Sequence, residues 1–411
     1  MPSRFKYGLL LTMLCAPGLT RCWAQTTPDS SSSSQNSTSS TPAQPTAAQA
    51  APAAAAPTAP PPENAFTASS VRLGGIDFSG FVDGYYSFNN NHPDSGINQL
   101  YDFNDHTNGW DLNLAKLTLN KDPAPIGFHV DIGFGRAFEI EKTPHPDPEF
   151  FRFIEQSYVS VKPKTWKGVE VDLGQFTTWA GAETIETMNN WNYSRSILFA
   201  WAVPFYHFGI RATAPIGNWT LGAQVVNGWN AIVDDYGNNM KTVGFTAAYT
   251  RQKYAWTNVY YVGPQFTGVD DMNHDINRNR NLLDSVLLLT PTDKLNAYVN
   301  FDFGQQNFSG GSGHWTGIAG ALHYQITKRF AVSPRVEWFD DPQGFSTGTV
   351  QQLHEVTVTG ECKVMEGILA RLEYRHDGSN AEFFQHGLQP NSSKQQSTVT
   401  LGLIAYFPPK H

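Results

Sequence analysis

The fold is decided by the stretch 295–303, which reads Leu295-Asn296-Ala297-Tyr298-Val299-Asn300-Phe301-Asp302-Phe303. Apolar residues occupy every odd position, and the even positions are mostly polar. Because successive side chains of a β-strand point to opposite faces, the odd residues share one face and the even residues share the other. The stretch therefore predicts an amphipathic strand with one apolar and one strongly polar surface.

The same period of two recurs along the chain, and its polar face carries both signs of charge. A soluble barrel of this size would bury its inner face and need that face apolar, whereas a barrel in a membrane turns its apolar face to lipid and keeps a polar lumen. We therefore predict a wet inner face. The residues predicted to face the lumen are Asp131, His207, Arg211, Asn300, Asp302, Arg371, Glu373 and Arg375.

The links between the strand-like segments alternate between short and long. From about Ile76 to Phe407 the pattern predicts about 16 strands, joined by short links such as 214–219, 251–254 and 291–294 and by long ones such as 89–109 and 265–279. One trimmed rim and one elaborated rim are typical of an outer-membrane barrel. The sequence thus predicts an all-β fold, a transmembrane antiparallel up-and-down β-barrel wide enough for an aqueous channel.

The N-terminus predicts export. Arg4 and Lys6 precede an apolar run that is too short to span a bilayer, so residues 1–24 are interpreted as a cleaved signal peptide. A lipoprotein anchor on Cys15 or Cys22 is the competing interpretation, and the residues preceding them fit it poorly. Residues 25–70 form a Ser/Ala/Pro-rich linker that we expect to be disordered, either as an idle leader or as a tether. Residues 71–411 form the predicted barrel.

Composition narrows the function classes. A mean hydropathy of −0.36 excludes a helical membrane protein but not a barrel with a polar lumen. The net charge of −8 argues against nucleic acid as a partner and favours cations in an open pore. Cys362 would be the one cysteine left after signal cleavage, which excludes an intramolecular disulfide and a thiolate metal site.

Aromatic residues concentrate where the predicted strands end. Such rings suit the bilayer interface, with the apolar body in lipid and the polar tip among headgroups. The alternative is that aromatic residues are simply good strand formers. The predicted girdle comprises Tyr85, Tyr86, Trp110, Trp166, Trp219, Tyr260, Tyr261, Trp315, Trp338, Tyr406 and Phe407.

The connection after the fifth predicted strand has an unusual composition. Residues 180–204 are rich in Ala, Ile, Leu, Phe and Trp, and so apolar a loop is not expected to extend into water. We predict that it folds into the barrel and narrows the lumen; the alternative is a lid or a subunit contact at the rim. The predicted pore constriction consists of Glu183, Glu186, Trp191, Tyr193 and Arg195.

This same region carries a family resemblance. The residues Gly181-x-Glu183-x-Ile185, then Asn190-Trp191-Asn192-Tyr193-Ser194-Arg195-Ser196, then Pro204-x-x-His207-x-Gly209-x-Arg211 resemble the signature of the putative β-barrel porin-2 family, the OmpL-like proteins. The opening Gly80-Phe81-Val82-Asp83-Gly84-Tyr85-Tyr86 is similar to that family's first strand. The resemblance covers about 75–407 and implies a porin in the bacterial outer membrane.

Motifs for chemistry are missing from the sequence. There is no Gly-x-Ser-x-Gly, His-Glu-x-x-His, Walker or dinucleotide pattern, so we expect no catalytic residue, no cofactor and no enzyme. Residues 271–282 alternate oxygen ligands like a calcium loop but lack its Gly and its closing Glu, so we assign no metal there.

The expected function is a porin that lets small hydrophilic solutes and ions diffuse through a water-filled lumen. The alternatives are a substrate-selective channel of the sugar type, with Trp179, Trp191, Tyr193 and Trp201 as a stacking track, and a structural or adhesive barrel without conductance. The expected partners are outer-membrane lipid and small polar solutes. Barrels of this size are often homotrimers, and the residues leave the oligomeric state open.

Overall fold

The computed structural model describes residues 70–141, 149–233, 241–269, 275–308 and 311–407. The predicted signal peptide and almost all of the predicted linker lie outside these residues. So do residues 271–274 of the calcium-like stretch.

Sixteen strands form the wall of a barrel, as the alternation predicts. They are β1 Ile76–Asn89, β2 Gly109–Lys121, β3 Ile126–Phe134, β4 Ile154–Val161, β5 Glu170–Thr177, β6 Tyr206–Ile216, β7 Trp219–Val226, β8 Thr242–Arg251, β9 Tyr254–Val269, β10 Asp275–Thr292, β11 Leu295–Phe308, β12 Gly311–Gln325, β13 Phe330–Asp341, β14 Gln351–Met365, β15 Ile368–Ser379 and β16 Gln395–Tyr406.

The barrel is closed and antiparallel throughout. Each strand pairs with the next along the chain, and β16 pairs back with β1, from Thr398 opposite Asn89 to Tyr406 opposite Phe81. Closure leaves no unpaired sheet edge, which a lipid environment requires because it offers no water to unpaired backbone groups. The predicted fold class and strand number are confirmed.

A few shorter elements complete the described chain. The strand Val71–Leu73 pairs with the start of β1, and the strands Phe384–His386 and Gln389–Ser393 form a hairpin between β15 and β16. The α-helices are α1, Arg136–Glu141, and α2, Ile197–Trp201, and 3₁₀ turns occupy Glu149–Phe153, Lys164–Trp166 and Thr187–Asn189. Among the described residues, no helix has the length and hydropathy to cross a bilayer.

The two rims differ as the sequence predicts. One rim carries tight turns at 217–218, 252–253, 293–294 and 366–367, and the opposite rim carries the long links 90–108, 135–153, 178–205 and 380–394. Gly217 has a φ of 62°, a left-handed conformation that the two-residue turn requires and that glycine adopts without strain. The predicted long link 265–279 is wrong, because β9 and β10 extend into it and leave only 270–274 between them.

The apolar face of the strands points outward. In β14, buried and exposed residues alternate from Gln351 to Glu361, and Val356 and Val358 are exposed on the outer surface. The aromatic girdle is partly wrong. Trp110, Trp166, Trp219, Tyr260, Trp338 and Phe407 are exposed, whereas Tyr85, Tyr261, Trp315 and Tyr406 lie on the inner face and are buried.

The inner face is polar, but its side chains are much less exposed to solvent than the sequence predicts. From β11 to β15, inward side chains such as Asn300, Asp302, Arg335 and Glu373 are almost completely buried. The sequence indicates the direction of these side chains and predicts that residues 180–204 fold into the barrel, but it does not show how much of the inner face they cover. The barrel interior is therefore largely filled along this part of its wall.

We expect Val358→Arg to destabilise the barrel by about 2–4 kcal/mol, because an outward arginine at mid-strand lies near the bilayer midplane. Val364→Arg, near the end of the same strand and equally outward, should cost about 0–1 kcal/mol. Equilibrium unfolding in lipid vesicles measures both. Equal losses for the two variants would contradict the assigned membrane depth.

Candidate functional site: the segment inside the barrel

Residues 178–205, here called the lumen segment, connect β5 to β6 and cross the barrel interior. At its start, the Thr178 hydroxyl forms a hydrogen bond with the Tyr261 hydroxyl of β9 at 2.8 Å. The Trp179 N–H donates to the same hydroxyl at 2.9 Å. The Ala182 N–H donates to Asn300 Oδ1 of β11 at 3.0 Å. Near its end, Ala202 C=O accepts from Trp315 Nε1 of β12 at 3.1 Å. Both ends of the segment are thus attached to the wall.

Two wall carboxylates hold the middle of the lumen segment by its backbone N–H groups. Glu373 of β15 accepts from the N–H of Tyr193 at 2.6 Å and of Ser194 at 2.9 Å. Glu337 of β13 accepts from the N–H of Ile197 at 3.0 Å and of Leu198 at 3.2 Å, at the start of α2. These carboxyl oxygens thus give buried backbone N–H groups of the segment the acceptors that they need.

Three wall arginines hold the backbone C=O groups of the same segment. Arg371 donates to Thr187 and to Asn190 at 2.5 Å. Arg335 donates to Ser194 at 2.7 Å, and Arg375 donates to Arg195 at 2.6 Å. The lumen segment has little regular structure of its own, so charged side chains of β13 and β15 satisfy its buried polar backbone.

Ion pairs add to this attachment. Glu183 pairs with Arg335 at 2.7 Å, and Arg335 also contacts Glu337 and Glu355. Glu186 contacts the Lys116 ammonium of β2. Burial alone would raise the pKa of the Glu186 carboxyl, but the Lys116 ammonium lowers that pKa below its ordinary value. The carboxyl therefore stays ionised at neutral pH, and the contact is lost only as the pH falls through that lowered value.

Apolar packing fills the space between the lumen segment and the link 90–108. Phe103 of that link packs against Phe199 and Phe205, each at 5.5 Å between ring centroids. The Arg375 guanidinium lies 4.2 Å from the centroid of the Tyr101 ring. Two links of the long-loop rim thus share one apolar core inside the barrel.

The predicted constriction residues all lie on the lumen segment, but they differ in environment. Glu183, Glu186, Tyr193 and Arg195 are buried, whereas Trp191 is half-buried and stacks beside Tyr298 and His323. Arg195 donates to C=O groups of the segment itself, at Thr184, Ile185 and Tyr193, and so braces the segment internally. That these residues narrow an open pore stays a prediction.

The structure places the predicted lumen-facing residues on the inner face in separate groups. Asn300 Nδ2 donates to Asp284 and Asp302, and Arg211 pairs with Asp172 at 2.8 Å. His207 Nδ1 lies 2.9 Å from Gly228 C=O. Asp131 contacts Lys116, and Arg371, Glu373 and Arg375 contact the lumen segment or its partners.

Sequence reasoning missed Lys116, Glu155, Arg335 and Glu337. The period of two in 332–338 could have assigned Arg335 and Glu337 to the inner face. The same period could also have assigned Lys116, because Lys116 alternates regularly with Leu117 and Thr118, beyond the register shift that β2 carries opposite Asp83 and Gly84. At Glu155 the pattern fails, because β4 carries a register shift opposite Asp131 and Ile132. A bulge of this kind reverses the alternation beyond it.

A closed sixteen-strand barrel with a polar inner face and the lumen segment folded into it is the architecture of outer-membrane porins. The family model described as Putative beta-barrel porin-2, OmpL-like, matches residues 75–407, so the chain belongs to this family of bacterial outer-membrane barrels. The resemblance inferred from the sequence is confirmed. A comparison with curated proteins finds no match.

Solved porin structures share the fold. The anion-selective porin from Comamonas acidovorans superposes with a TM-score of 0.56 at 12% identity, over 81% of this chain and 99% of that one. The channel DcaP of Acinetobacter baumannii gives 0.55 at 10% identity, over 83% and 100%. The trimer form of Vibrio cholerae OmpT gives 0.53 at 11% identity, over 80% and 98%. At such identities the likeness concerns the fold alone.

Glu373→Ala should release the lumen segment and lower the free energy of unfolding by about 3 kcal/mol, because the N–H groups of Tyr193 and Ser194 lose their acceptor in a buried site. Hydrogen exchange should rise in the peptide 190–198. The matched control is Glu382→Ala, an exposed carboxylate in the link 380–394. Unchanged exchange in 190–198 of the Glu373 variant would show that this carboxylate does not hold the segment.

Proposed function

We propose that the protein is a porin through which small hydrophilic solutes and ions diffuse passively, along a lumen that the lumen segment narrows. The observation that carries the proposal is the half-exposed polar inner wall of β2 to β4, next to the buried segment. Thr118, Asn120, His129 and Gln156 keep contact with solvent there, toward the rim of tight turns. A channel of this kind needs a wet path, a size limit and a charge pattern, and no chemical step.

The narrowest part of the path is proposed to lie between the lumen segment and this wall. Lys116, Asp131 and Glu186 meet at the border between the half-exposed and the buried inner surface. Solutes that pass there would meet more carboxylates than ammonium groups, which favours cations. The porin from Comamonas acidovorans is described as anion-selective, so selectivity has to be measured for this chain.

The oligomer is part of the same proposal. OmpT of Vibrio cholerae is described in a trimer form. Because the chain shares that barrel fold, we propose a homotrimer in which each barrel carries its own path. The family and the fold favour a channel without enzymatic activity, and no residue is assigned a catalytic role.

A substrate-selective channel is the second candidate. The half-buried Trp191 favours it, because its indole lies 5.2 Å from the Tyr298 ring and could stack with a solute ring. Trp179, Tyr193 and Trp201 are buried, which leaves Trp191 as the half-exposed member of the expected track. The burial of nearly the whole lumen segment favours the third candidate, a structural barrel without conductance.

Planar bilayers with the full protein should show discrete conductance steps in potassium chloride, and added sugars should leave the current unchanged. A saturable block by sugars that disappears in Trp191→Ala would replace the general porin with the selective channel. If the correctly folded protein inserts into the bilayer without any conductance, the structural barrel is the remaining candidate function.

Glu186→Gln should reduce the preference for cations, because it removes a carboxylate from the narrow part of the path. The measurement is the reversal potential in a salt gradient. Asp94→Asn, an exposed carboxylate in the link 90–108, is the control and should leave the potential unchanged. Identical reversal potentials for Glu186→Gln and the unmodified protein would contradict the proposal that Glu186 lines the narrowest part of the path.

A further inference from the structure

Three carboxylates from three separate parts of the chain converge on one point of the inner wall. Asp131 lies on β3, Glu155 on β4 and Glu186 on the lumen segment, and all three are buried. One carboxylate oxygen from each lies within 4.8 Å of the others. Since hard divalent cations bind carboxylate oxygens at about 2.0–2.6 Å, a single ion can contact all three oxygens at such a spacing.

The position that such an ion would take already holds a cation. Lys116 Nζ lies 3.1 Å from Asp131 Oδ2 and 3.0 Å from Glu155 Oε2, and it also contacts Glu186. The ammonium therefore bonds one oxygen of each carboxylate. The geometry favours positive charge at this point, and the lysine ammonium is a compact charge on a flexible stem.

One ammonium does not match three carboxylates. Within the described residues, the ion pairs of these carboxylates involve Lys116 and, only when protonated, His129, which contacts Asp131 at 3.1 Å. Glu155 is 0% exposed, and its Oε1 has no hydrogen-bond partner. Burying a carboxyl oxygen without a hydrogen-bond donor costs free energy. A bound cation could supply the contact that this oxygen lacks.

We propose that Asp131, Glu155 and Glu186 form a binding site for a divalent metal cation, Mg²⁺ or Ca²⁺, which the Lys116 ammonium occupies in the metal-free protein. Two positive charges match three carboxylates better than one, and the metal also gives Glu155 Oε1 a partner. Thr118 and Gln156 donate hydrogen bonds to the Asp131 carboxyl group at 2.5 and 2.8 Å and so orient that ligand.

Metal binding would tie the lumen segment to the wall. Asp131 and Glu155 belong to neighbouring strands of the wall, whereas Glu186 belongs to the lumen segment. The ion would therefore connect the segment to the wall. The bound state should therefore protect the part of the segment around Glu186 from hydrogen exchange. This consequence does not depend on whether the barrel conducts.

The test is isothermal titration of the folded full-length protein in detergent, freed of metal with a chelator, with calcium chloride or magnesium chloride. We expect saturable binding. Glu155→Gln should weaken it by about tenfold or more, since it removes one metal ligand. Lys116→Met should strengthen it, because the competing ammonium is gone. The matched control is Glu361→Gln, a buried lumen carboxylate paired with Arg371 at 2.7 Å, which should leave the affinity unchanged.

The proposal is overturned if the unmodified protein shows no saturable binding at millimolar metal. It is equally overturned if Glu155→Gln and Glu361→Gln bind alike. Heat-modifiable electrophoretic mobility confirms that each variant is folded. If Lys116→Met does not fold, the comparison of the two glutamate variants still decides the question. Binding with no conductance would reject the porin proposal and retain the metal site.

Discussion

The interior of this barrel depends on charged side chains of the wall that bind the backbone of the lumen segment. Glu337 and Glu373 accept its N–H groups, and Arg335, Arg371 and Arg375 donate to its C=O groups. An irregular segment inside a barrel has no ladder to satisfy its polar backbone, so this exchange allows the segment to be buried there. The apolar contacts around Phe199 further stabilise the lumen segment in the position that these hydrogen bonds fix.

The two faces of the strands obey different constraints. The outer face contacts lipid, so any apolar side chain of suitable size is tolerated, and exposed Val, Leu and Ile residues recur there. The inner face has to match individual groups of the lumen segment. A buried charge without a partner costs several kcal/mol, so each inner residue is specific to its neighbour.

Much of the fold could be predicted from the sequence because a period of two is a local property. The strand number and the outward face of β11 follow from it, and the two unequal rims follow from the lengths of the links. The girdle prediction failed at Tyr85, Tyr261, Trp315 and Tyr406, because aromatic residues near strand ends also fill the interior. The alternation could not assign Glu155, since a register shift interrupts the pairing of β4 at that residue.

The sequence by itself determined a closed membrane barrel, the location of one exceptional apolar link and the membership of a porin family. It did so because hydrophobic alternation, link length and sequence motifs are local properties of the chain. Only the tertiary structure decided that the inner charges are buried, which of them hold the lumen segment, and that Asp131, Glu155 and Glu186 converge on Lys116. These contacts join residues far apart in the chain, and their partners depend on how a folded-in segment meets a curved wall.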